Sequence, residues 1–149
     1  MIDFIYHKDS TLGAGTPIRV LSYNKTSTIF FITSIALQEV YNTMKFTSRQ
    51  RAAKVITEYL IPSIKKMEPV MNKGFTYIGI SAVFGSKDFS SDYVLATKPE
   101  YILFVVPSKK ANDFVKGKIT EEELVESADI ISSDRDMIMN TKKIKIKLE

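Results

Sequence analysis

Phe75-Thr76-Tyr77-Ile78-Gly79-Ile80-Ser81-Ala82-Val83-Phe84 is the stretch whose reading decides the fold. β-Branched and aromatic residues favour a pleated, half-buried chain, and a period of two puts Ile78, Ile80, Ala82 and Phe84 on one side. The other side carries Gly79 and Ser81, whose small bulk leaves room for a close neighbour, either a helix or a bulge. Phe75–Phe84 is therefore expected to be a long strand with one face given to the core.

Upstream, Pro69 to Gly74 punctuates the chain, and the pattern before it is helical. Ala52, Val55, Ile56, Tyr59 and Leu60 recur at spacings of three and four, with Arg51, Lys54, Glu58 and Lys65 left to face water. Thr47 stands three residues before Gln50, the capping-box spacing that satisfies amide hydrogens at a helix start. Pro62 lacks the amide hydrogen used inside a helix, so a kink or a restart at Ser63 is expected. Ile35, Leu37, Val40, Tyr41 and Met44 fit an earlier helical stripe beginning near Ser34. Before that, Ile18–Tyr23 and Thr28–Thr33 read as a hairpin around Asn24-Lys25-Thr26-Ser27. Met1–Tyr6 reads as a first strand, followed by a loop over His7–Pro17.

Downstream, Gly85–Pro99 is polar with aromatics at Phe89 and Tyr93, the pattern of a long ordered loop or lid. Tyr101–Val106 reads as a buried strand closed by Pro107, and Ala111–Lys116 as a short helix. Thr120 and Glu123 form a second capping box, before a helix over Glu121–Ala128. At the end, Ile144, Ile146 and Leu148 alternate with Lys143, Lys145 and Lys147, a strand with a dry face and a lysine face. Met137 and Met139 are assigned to its hairpin partner. Three strands precede the main helices, so the regular alternation of a doubly wound sheet does not fit. The expected fold is α+β: a single antiparallel-rich mixed sheet of about five to seven strands, with two or three helices on a face. It forms one compact domain over 1–149, with 148–149 fitting an expression-tag remnant.

The chain has 149 residues, 44% hydrophobic and 26% charged, ordinary for one globular core and far from a disordered composition. Without cysteine there is no disulfide, thiolate metal site or thiol nucleophile. That says little about compartment, and an envelope or extracellular location reads as evenly with the composition as a cytoplasmic one. The most apolar run, Thr28–Leu37, is interrupted well short of the roughly 20 residues of a membrane helix. Charge is uneven: residues 42–73 hold seven basic and two acidic side chains, and 111–149 hold seven and nine.

Motifs for chemistry are thin. His7 is the sole histidine and has only Asp9 nearby, short of the three or four ligands of a metal site. Asp134-Arg135-Asp136 lacks the rest of a calcium loop. Glu121, Glu122, Glu123, Glu126 and Asp129 suit the positive end of a helix without any catalytic role. Ser63-Ile64-Lys65-Lys66 has no companion elements of a serine hydrolase, and Gly13-Ala14-Gly15 leads into an extended segment rather than a phosphate-cradling helix. No metal, cofactor or catalytic residue is assigned.

Two candidate surfaces follow. Lys87, Phe89, Tyr93 and Tyr101 can line a binding groove under the Gly85–Pro99 segment. Lys45, Arg49, Arg51, Lys54, Lys65, Lys66 and Lys73 form a basic stripe suited to an acidic partner. The reading is a noncatalytic binding or protein-interaction domain, with a protein or small ligand favoured over nucleic acid and a homodimer compatible. Its rivals are a metal-free enzyme built on Asp, Tyr, Lys or Ser, and a nucleic-acid binder using the 45–73 region.

Overall fold

In chain order the elements are β1 (Asp3–Ile5), β2 (Ile18–Tyr23), β3 (Thr26–Asn42), α1 (Ser48–Val55), α2 (Ile61–Lys65), α3 (Glu68–Met71), β4 (Tyr77–Lys87), β5 (Lys98–Pro107), α4 (Ser108–Val115), α5 (Glu121–Ser127), β6 (Asp129–Ser133) and β7 (Lys142–Ile144). The structure, a computed structural model, describes residues 3–5, 18–23, 26–71, 74–90, 97–133, 142–146 and 148. Up to residue 33, and at 70, 133, 142 and 143, it is the backbone that is described.

The fold is α+β with one mixed sheet, and among the described residues the strands lie side by side in chain order, β1 to β7. β2 and β3 form the expected hairpin, closing at Tyr23 and Thr26. β3 and β4 run parallel, joined by the helical crossover α1–α3, so the sheet is less uniformly antiparallel than its sequence suggests. β4 returns into β5 antiparallel, and α4 and α5 intervene before β6 pairs antiparallel with β5.

The core lies between the sheet and the helices. Ile78, Ile80, Ala82 and Phe84 of β4 share one face, as their alternation predicts, with Ile102, Phe104 and Val106 of β5 and Ile130 of β6. Val55, Ile56, Leu60, Ile61 and Ile64 cover them from the long helical segment, and Ala111, Phe114, Leu124 and Val125 from α4 and α5. Burying side chains of this size contributes roughly 1.5–3 kcal/mol each, which is why the helical layer settles on the even face of β4. On the opposite face no helix is needed to explain the small residues: Ser81 Oγ lies 2.6 Å from Ser34 Oγ on β3.

Several expectations are corrected. The segment Ser34–Asn42 continues β3 rather than starting a helix. Ile35 and Leu37 are half-buried while Ser34, Ala36 and Gln38 are exposed, a period of two that a parallel partner at Ser81–Val83 rewards with ladder hydrogen bonds. Pairing then skips from Ala36 to Val40, a bulge that inserts extra β3 residues. The α-helix restarts at Ile61, two residues before the Ser63 restart that Pro62 suggests. A π turn over Ile56–Leu60 carries α1 into α2, the Ile61 amide donating to the Ile56 carbonyl five residues back, and Pro62 falls in the first turn of α2, where its missing N–H costs least. β7 pairs antiparallel with β6, and the Met137–Met139 segment expected as its hairpin partner lies outside the described residues. β4 runs on to Lys87 and β5 starts at Lys98, so the expected Gly85–Pro99 loop is shorter than it reads. Both capping boxes form, at Thr47/Gln50 and Thr120/Glu123. No helix among the described residues is long and apolar enough to cross a membrane.

Candidate functional site

Because β3 and β4 are parallel, their C-terminal ends meet at one end of the sheet. Asn42 pairs with Lys87, and the Thr43 amide donates to the Lys87 carbonyl at 3.0 Å. Asn42 then organises the next turn: its carbonyl accepts from the amides of Lys45 and Phe46 (3.2 and 3.1 Å), and its side-chain oxygen from the Met44 amide (2.9 Å). Across from it, Asp88 Oδ1 accepts from the Ser90 amide (2.8 Å) and hydroxyl (2.6 Å), which hold the Asp88 carboxyl below its usual range. Both turns are thus fixed by short polar side chains, which leaves their apolar residues outside.

Met44 and Phe89 of these turns and Val40 near the end of β3 are exposed by 68%, 56% and 40%, the large hydrophobics most open to water among the described residues. Lys87 Nζ sits 5.8 Å from the Phe89 ring centroid, a cation over an aromatic face. Lys45, in the same turn as Met44, and Lys98, in register with Ser86, are exposed around them. Among the described residues Asp88 and Glu39 are the acids beside these strand ends; Asp88 is held by Ser90, and Glu39 Oε1 accepts from Tyr59 Oη at 2.8 Å, which raises the Tyr59 phenol above its ordinary value.

Of the predicted groove, Lys87 and Phe89 come together here. Tyr101 does not join them: it pairs with Val83, four positions back along β4, about 13 Å at a strand rise of roughly 3.3 Å per residue. Tyr93 lies outside the described residues. Sequence reasoning missed Val40 and Met44, which it had placed on a helical stripe. Their exposure follows once β3 is extended, since Tyr41 then turns into the core, edge-on to Phe46 and Phe84 at 6.4 and 5.6 Å, and Val40 turns away.

The basic stripe is broken up. Arg51 is not a surface residue: it is 8% exposed, and its Nε and Nη2 each donate to Glu100 at 2.7 Å while Nη1 donates to the Phe46 carbonyl at 2.6 Å. The fork geometry of a guanidinium matches a carboxylate two-to-two, and that match draws Arg51 inward to lock α1 onto β5. Lys54 is half-buried, 3.1 Å from Glu58 and over the Phe46 ring, and Lys65 lies over the Phe114 ring. Lys45, Arg49, Lys65 and Lys66 remain exposed, and Lys73 lies outside the described residues.

A second concavity runs along α1. A groove of about 660 Å³ has Arg49, Gln50, Ala53, Lys54, Thr57 and Glu58 on one wall and Phe46 at its end, with Lys145, Ile146 and Leu148 opposite. Ile146 and Leu148 are half-buried and pack against the core. Among the described residues, no three metal-ligating acids or histidines come together. The hydroxyl of Tyr41 is buried without a partner among the described residues, and burial first, then Glu58, Tyr59 and Glu39, push its phenol far above the ordinary value, so it is a neutral group at any physiological pH.

Compared with protein-family models, with curated proteins and with solved structures, the chain gives no significant match.

Proposed function

We propose that the protein is a noncatalytic protein-interaction domain that docks a partner on the sheet end formed by Val40, Met44, Lys87 and Phe89. The observation that carries this reading is that the large apolar side chains most exposed among the described residues, Val40, Met44 and Phe89, all lie at or just beyond the paired ends of the parallel strands β3 and β4. Isolated surface hydrophobics are ordinary, whereas a cluster ringed by charge is the usual composition of a docking surface. The ring is lysine-rich, with Lys45, Lys87 and Lys98 against two acids that already have partners. It favours an acidic segment bearing apolar side chains. A second copy of the chain fits less well, because a two-fold contact would set these lysines against themselves.

The buried charges do not compete with this reading: Arg51 and Glu100 satisfy each other in holding α1 to the sheet. Nucleic acid is disfavoured by the same pair, since it removes a cation from the middle of the 45–73 stripe. The test is a methyl NMR titration with an acidic peptide alternating Glu and Leu. The Met44 and Val40 methyls are expected to shift selectively, the shifts to weaken with salt, and Phe89→Ser with Lys87→Gln to abolish them. Shifts spread over the whole surface, or broadening of these methyls with protein concentration alone, would overturn it, the latter in favour of a homodimer.

A further inference from the structure

The groove between α1 and the C-terminal segment has a lining unlike that of the sheet end. Among the described residues its lining is apolar at Phe46, Ala53, Ile146 and Leu148 and carries Arg49, Lys54 and Lys145 with one acid, Glu58, while Lys145 also borders a second concavity lined by Glu122, Glu126 and Asp129. Glu58 is already paired with Lys54 at 3.1 Å. Arg49 and Lys145, which line the groove from α1 and from the C-terminal segment, have no carboxylate within ion-pair distance among the described residues.

We infer that this groove is a binding site for a single-chain amphiphile, an apolar tail with an anionic head. The volume of about 660 Å³ lies within the range of small-molecule sites, and an apolar lining with a few placed polar groups is their usual chemistry. From Arg49 to Glu58 the wall is about 14 Å long at a helical rise of roughly 1.5 Å per residue, a length suited to a medium acyl chain. The tail lies along Ala53 and Ile146, and the head sits between Arg49 and Lys145. A guanidinium takes a carboxylate or phosphate head in two hydrogen bonds, and the Lys145 ammonium adds charge from the other side. The site adjoins the sheet end at the turn that carries Met44 and Phe46 but does not depend on the docking reading.

Dodecanoate, kept below its micelle concentration, is the probe. Heteronuclear NMR titration is expected to give one saturable site, with shifts at Ala53, Thr57 and Ile146 and none at Met44 or Phe89. Dodecanol, which keeps the tail and loses the charge, is expected to bind at least tenfold more weakly. Exposed-cation contacts are each worth about two- to fivefold in affinity, so Arg49→Gln with Lys145→Gln should weaken dodecanoate by about tenfold, and Ala53→Glu should abolish it. These positions are exposed or half-buried, and an unchanged far-UV spectrum of each variant shows that it folds. Phe89→Ser should leave dodecanoate binding unchanged. No saturable binding, equal binding of the alcohol, or indifference to Ala53→Glu would each overturn the assignment. So would sedimentation with phosphatidylglycerol vesicles, or binding of an acidic peptide in the groove, without dodecanoate binding.

Discussion

Arg51 shows how a single side chain changes meaning between sequence and fold. On α1 its spacing puts it among exposed cations, and nothing local marks it as different from Arg49 or Lys54. Glu100 makes the difference, and it lies 49 residues away, as the first buried residue of β5. Removing one partner of a buried pair leaves the other charged and desolvated, which typically costs about 3–5 kcal/mol, whereas replacing both by apolar groups is close to neutral. Glu100→Gln is therefore expected to lower the stability in urea by about 3 kcal/mol, with the double variant Arg51→Met/Glu100→Leu recovering most of it. Equal losses in the single and double variants would show that the pair does not act as a unit.

At the scale of elements, legibility followed the range of the interaction. Capping boxes at Thr47 and Thr120 need only residues three apart, and both were readable. So was the dry face of β4, because its alternation is unambiguous over Ile78 to Phe84. The segment Ser34–Met44 was not, since Leu37, Tyr41 and Met44 satisfy a helical spacing as well as Ile35 and Leu37 satisfy a strand. The tie is broken by β4, which supplies hydrogen bonds that no local pattern encodes. The π turn before Pro62 was equally hidden: the sequence shows the problem that proline poses, not the five-residue hydrogen bond that solves it. The candidate groove needed Ile146 and Leu148 against α1, a contact between distant parts of the chain. Gly85 reports on the bulged stretch of β3. A methyl group there would meet Thr97 Cγ2 at 2.5 Å and Val40 Cγ2 at 3.1 Å. Gly85→Ala is expected to lower the thermal midpoint, at a cost of about 1–3 kcal/mol for overpacking, and adding Thr97→Ser, which removes the nearer methyl, should return part of the loss. An unchanged midpoint in Gly85→Ala would mean that Thr97 and Val40 do not crowd this glycine.

For the whole molecule, the parallel pairing of β3 with β4 is the step on which the proposed docking surface depends. It ends both strands at one place, so that Met44 and Phe89, 45 residues apart in sequence, emerge together beside Lys87. An antiparallel sheet would have sent them to opposite ends, and a helix from Ser34 would have hidden Met44 in a core. The helical crossover that makes the pairing possible also lays α1 across the core, where its outer wall and the C-terminal segment enclose the groove. Both surfaces thus descend from one topological choice, while the buried Arg51–Glu100 pair fixes how α1 sits. The most direct measurement is the pattern of backbone nuclear Overhauser effects over residues 34–42. The account predicts cross-strand contacts from Ser34 to Ser81 and from Asn42 to Lys87, in parallel register, with weak sequential amide–amide contacts. Strong sequential amide–amide contacts through Ser34–Asn42, without cross-strand partners in β4, would contradict it.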